Sequence, residues 1–98
     1  MSAITIERDG PVETLSINDA PRNRMSLEFI DELEVEIERL RDDSDIRAVV
    51  IRGAGEEHFS VGMDLKQLPE GIKQRGSPDV IFDQRLKVLR DIETLNKP

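Results

Sequence analysis

The segment Ile46–Gly53, IRAVVIRG, constrains this chain more than any other stretch. Its near-continuous apolarity and its β-branched residues describe a strand covered on both faces, the habit of a parallel sheet. Before it, Leu27–Arg41 carries Ile30, Leu33, Ile37 and Leu40 at spacings of three and four, which lines one face of a helix. Asp31, Glu32, Glu34, Glu38 and Arg41 lie largely elsewhere, so this is a surface helix with one buried stripe. Ser26 is placed to cap it, and Asp42–Asp45 is a polar connection. A strand ahead of the helix completes a strand-helix-strand unit, which implies a right-handed crossover and a partly parallel sheet.

That earlier strand belongs to a hairpin. Ile4 and Ile6 share one face of the first arm, Leu15 and Ile17 share one face of the second with Glu13, and the Asp9-Gly10 pair suits the turn between them. Residues 18–24, NDAPRNR, read as a loop in which Pro21 sets φ. Downstream, PEGIKQRGSP reads as a mobile loop rich in glycine, proline and charge. Ser77 and Pro78 then start a second helix, with Phe82, Leu86, Leu89 and Ile92 or Leu95 as its expected buried face.

Bulk properties narrow the function. A chain of 98 residues supports one domain, and with 37% hydrophobic and 3% aromatic residues its core is made of Ile, Leu and Val. A net charge of -7, with a pI near 4.7, argues against nucleic acid as a partner, because phosphate neutralisation needs a surplus of Lys and Arg. No cysteine is present, which excludes disulfides, thiolate metal sites and cysteine nucleophiles. No window approaches the length of a membrane span and the start lacks a signal-peptide pattern, so a soluble cytoplasmic protein with no membrane or metal partner is expected.

The most specific element is His58–Leu68, HFSVGMDLKQL, in which a glycine turn at Gly62 leads into a new helical turn. Taken with the hairpin, the PRNRMSLEF helix start, the DIRAVVIRGAG strand, the amphipathic second helix and the closing NKP, it resembles the N-terminal part of the crotonase superfamily, the enoyl-CoA hydratase and isomerase group. The family pattern is F, S or A, any residue, G, any residue, D, L or I, K, and the resemblance covers essentially the whole chain. It implies an α/β fold, the N-terminal part of a crotonase-like ββα spiral with a mixed sheet and flanking amphipathic helices. It also implies that residues 1–98 are the N-terminal portion of a domain whose C-terminal part is absent.

By position, the resemblance makes the backbone NH of Met63 one donor of an oxyanion hole. Two fixed NH groups stabilise the charge that develops on a thioester oxygen without reorganising, and Gly62 permits the close approach. The backbone around Val61 and Leu65 is then expected to meet the adenine of coenzyme A, with Lys66 and Arg22 near its phosphates and Asn23 and Arg24 beside the pantetheine. Coenzyme A enters as part of the thioester substrate, and no tightly bound cofactor is implied. Relatives assemble as trimers or hexamers through C-terminal helices, place the second oxyanion donor after the next strand, and carry their acid and base carboxylates later still. Met25-Ser26 stands where many relatives have Asn-Ala, and Met63 where many have a small residue, which leaves substrate shape open.

Other candidates read as structural. His58 is a loop or packing residue, Gly53–Gly55 lacks the third glycine of a dinucleotide loop, and Glu32, Glu34, Glu36 and Glu38 point to opposing sides of a helix. A competing reading makes the whole chain a small acidic α/β interaction module, with the Gly62 turn and an Asp64 cap serving structure only.

Overall fold

The computed structural model describes residues 2–98. In chain order the elements are β1 (Ile4–Asp9), β2 (Val12–Ile17), β3 (Arg24–Met25), α1 (Leu27–Arg41), β4 (Ala48–Gly53), β5 (Gly62–Met63), a 3-10 turn (Leu65–Gln67), α2 (Leu68–Arg75) and α3 (Pro78–Glu93). The mixed α/β class expected from the sequence is the class observed. β1 and β2 form the hairpin, with Ile4 opposite Ile17 and Asp9 opposite Val12, and Gly10 takes the positive φ of 60° that the turn needs.

β4 runs parallel to β2, from Val12 opposite Ala48 to Ile17 opposite Gly53, and the sheet order is β1-β2-β4. The centre of the sheet is therefore β2. This corrects the expectation of a doubly covered strand at residues 46–53: Val50 is 44% exposed, and among the described residues β4 has a sheet neighbour on one side only. Pro98 O accepts the Val49 NH at 2.9 Å, so the chain's last described residue lies against that other edge.

α1 begins where Ser26 Oγ accepts the Phe29 NH at 3.0 Å, and it lays Phe29, Ile30, Leu33, Ile37 and Leu40 onto Ile4, Leu15, Ile17 and Ile46. Glu13 is fully buried on the core side of β2, where Arg8 and Arg39 supply guanidinium groups from two different elements. Those ion pairs compensate a carboxylate that alternation alone would have turned into an apolar layer.

Two further expectations need correction. The stretch taken for a mobile loop contains helix α2, which starts near Pro69 and ends at Gly76 with φ 98°. Gly71 inside it packs against Leu27, where a side chain would collide with the leucine's Cδ1. Arg75 Nη1 and Nη2 then donate to both oxygens of Asp31 at 3.0 and 2.9 Å, tying α2 to α1. In α3 the buried positions are Ile81 and Val88, with Leu95 just beyond its end, whereas Phe82, Leu86 and Leu89 are 45%, 60% and 62% exposed. Both sets satisfy helical spacing; packing against α1 selects the first.

Candidate functional site

The site is built where two short strands far apart in sequence meet. β3 and β5 pair in parallel, Arg24 with Gly62 and Met25 with Met63. Val61 donates its NH to Arg22 O at 3.0 Å and Asp64 to Met25 O at 3.2 Å, so the ladder is fixed at both ends. Because successive NH groups of an extended chain point to opposite sides, an Asp64 NH aimed at β3 directs the Met63 NH away from it. Gly62 holds φ at 103°, a value open to glycine and strained for other residues.

Asn23 anchors the loop ahead of β3. It is fully buried with φ 52°, its Nδ2 donates to Ala54 O and His58 O at 2.8 Å each, and its own carbonyl accepts Ser60 Oγ at 2.6 Å. Ser60 Oγ in turn accepts the Gly62 NH at 3.0 Å. The side chain of Asn23 is thus spent on holding residues 54–60 in place, and its Oδ1 has no partner among the described residues. Gly53 permits this junction, since a Cβ there would press on Phe59 O, Asn23 Nδ2 and His58 O. His58 is exposed and contributes its backbone carbonyl to the loop.

After β5, Asp64 Oδ1 accepts the Lys66 NH at 3.2 Å and caps the 3-10 turn. Gln67 fastens that turn to α1: its Oε1 accepts the Leu27 NH and its Nε2 donates to Glu28, both at 2.9 Å. Hydrogen bonding from Gln67 holds the Glu28 carboxyl below its ordinary range.

The remaining expected residues divide into two groups. Arg22, Val61, Leu65 and Lys66 are exposed, with Val61 at 55% and Leu65 at 68%, so two apolar side chains and two cations face solvent around the turn. Arg24 is different. Its Nε and Nη2 grip Asp19 at 2.9 and 3.3 Å, and its NH adds a third bond to the same carboxylate at 3.0 Å. The Arg24 hydrogen bonds pull the Asp19 carboxyl below the usual aspartate range, and Asp19 raises Arg24 in return. Of the three cations expected to gather on one anion, one is already paired.

Asp19, Ser60 and Gln67 were not singled out by sequence reasoning, and Gly53 was weighed only as part of a dinucleotide loop. Ser60 sits within the family pattern and Asp19 only five residues before Arg24, so both left a trace; Gln67 and Gly53 act on partners distant in the chain.

A profile of the family described as Enoyl-CoA hydratase/isomerase matches residues 7–98. The chain belongs to this family. It is 29% identical over its whole length to a short-chain-enoyl-CoA hydratase of Clostridium acetobutylicum, covering 37% of that protein. A carnitinyl-CoA dehydratase of Citrobacter koseri is 32% identical over 93% of the chain, which covers 34% of it. Among solved structures, an enoyl-CoA hydratase/carnithine racemase from Magnetospirillum magneticum superposes with a TM-score of 0.87 at 24% identity, over 100% of this chain and 37% of that one. The last match supports the crotonase fold alone. The chain spans little more than a third of the length of the curated relatives it matches. Among the described residues, no helix is long and apolar enough to cross a membrane.

Proposed function

We propose that this chain binds the coenzyme A portion of an acyl-CoA thioester and contributes the Met63 NH to an oxyanion hole, as part of an enoyl-CoA hydratase/isomerase-type enzyme. The observation that carries the reading is the β3-β5 ladder, which turns that NH away from β3 at a position set by Gly62. A backbone donor fixed in this way needs no reorganisation when charge develops on the thioester oxygen. Val61 and Leu65 provide exposed apolar contact for the adenine ring, and Arg22 and Lys66 provide charge for the phosphates. Asn23 and Arg24 act on the pantetheine side by holding the loop, Asn23 through its buried amide and Arg24 through Asp19.

The family's second donor and its acid and base carboxylates belong to positions beyond Pro98. The 98-residue chain alone therefore binds the thioester without turning it over, and the complete catalyst works in the cytoplasm as a homo-oligomer of three or six subunits.

Calorimetric titration with coenzyme A tests the reading. Lys66→Glu should weaken binding by about three- to tenfold at low salt, and less at high salt, as expected of an exposed charge on a phosphate. Affinity that ignores this reversal, or no binding at all, would leave the chain as an acidic interaction module.

A further inference from the structure

Between α1, α3, Ile51 of β4 and Phe59 lies a cavity of about 250 Å³. Met25, Phe29, Ile30, Leu33, Val88 and Leu89 supply most of its apolar wall, and Arg85 is the single charged residue lining it. This arginine is unlike the other buried or half-buried cations of the chain. Arg24, Arg39 and Arg75 each hold a carboxylate, and Arg41 and Lys97 hold backbone carbonyls, whereas Arg85 Nη1 is buried with no hydrogen-bond partner among the described residues. Its Nη2 reaches only the Met25 sulfur, at 3.9 Å, and a thioether is a weak acceptor. Burial lowers the guanidinium's pKa with no opposing charge to restore it, yet an arginine remains cationic at neutral pH.

A permanent charge half-buried in the wall of an apolar cavity is costly where one of its donors meets neither water nor an anion. The position of this one is informative. Met25, which touches Arg85, pairs directly with Met63 in the β3-β5 ladder, so the cavity adjoins the backbone proposed to hold the thioester oxygen. An acyl chain leaving that oxygen toward α3 would run along apolar side chains and end at a cation. Its volume leaves room for a short chain and a terminal carboxylate.

We propose that Arg85 is a specificity-determining residue that selects acyl-CoA thioesters carrying a carboxylate at the far end of a short acyl chain. This rests on the acyl-CoA reading above. The fork of the guanidinium suits a carboxylate through paired hydrogen bonds, and the apolar wall rejects a charged group anywhere short of it.

The test titrates coenzyme A, pentanoyl-CoA and glutaryl-CoA into the native chain, Arg85→Met and Arg85→Lys, with circular dichroism to confirm that each variant is folded. Glutaryl-CoA should bind the native chain about tenfold or more tighter than pentanoyl-CoA. Arg85→Met should abolish or invert that preference, and Arg85→Lys should keep part of it. Equal affinity of the two thioesters for the native chain overturns the proposal while leaving the coenzyme A reading intact, and needs no variant to fold. A preference that survives Arg85→Met assigns the carboxylate to another cation and overturns it as well. Failure of all three ligands to bind removes both readings together.

Discussion

Gly53 and Gly62 are required for different physical reasons, and the difference separates what a sequence reveals from what it hides. Gly62 has open space around its missing side chain, but its φ of 103° strains any L-residue, and its place in a recognisable pattern made it legible. Gly53 has an ordinary backbone and no room: the carbonyls of His58 and Phe59 and the amide of Asn23 close over it. Nothing near Gly53 in the chain announces this, because Asn23 is thirty residues earlier and reaches it only in three dimensions. Gly53→Ala should therefore lower stability by about 1–3 kcal/mol through overpacking, measured as a fall in the urea midpoint at unchanged slope. It should also weaken coenzyme A binding, because residues 58–60 position β5. A variant with native midpoint would show that the junction yields easily.

At the scale of elements, α3 carries two apolar stripes and its sequence cannot rank them. Phe82, Leu86 and Leu89 recur as regularly as Ile81, Val88 and Leu95, yet only the second stripe is buried, while Leu89 of the first lines the cavity beside α1. Ile81→Ala should cost about 2–5 kcal/mol, since the residue is fully buried beside Gly71 and Leu27. Leu86→Ala, at a side chain 60% exposed, should stay within about 0.5 kcal/mol. Comparable losses from the two would return the helix to its expected orientation. Helix α2 was hidden for a related reason. Glycine and proline usually mark loops, but here Pro69 occupies a helix start and Gly71 makes room for Leu27, so tertiary contact overrides propensity.

Over the whole molecule, charged side chains tie together elements distant in the chain. Arg75 bridges α2 to Asp31 of α1, and Lys97 donates to Leu40 O and Asp43 O at 2.5 and 2.6 Å, pinning the chain's end to the close of α1. Arg75 holds the Asp31 carboxyl below its ordinary value, as Arg24 does for Asp19 and Gln67 for Glu28. A carboxylate with a depressed folded pKa binds fewer protons when folded than when unfolded. Its contribution is complete above the ordinary value of about 4 and disappears as pH falls through the lower folded value. The melting temperature should thus hold between about pH 5 and 7 with respect to these groups and fall below about pH 4. Asp31→Asn should lower it at neutral pH and flatten the acid decline; an undiminished acid decline would assign the effect to other carboxylates.

The sequence alone determined the class of this protein. Alternation with a β-turn pair, a stripe at helical spacing, and a β-branched run after it are local patterns, and they sufficed for the hairpin, α1 and the parallel partner of β2. The FSVGMDLK segment carried the family because its glycine turn is a local pattern, written in neighbouring residues. Which strand is central, which stripe of α3 is buried, that Arg24 is already paired with Asp19 while Arg85 has no counter-charge: these were decided only in the folded chain. Each depends on groups that are distant along the polypeptide and become neighbours through packing, where volume and charge are settled by whichever surfaces meet.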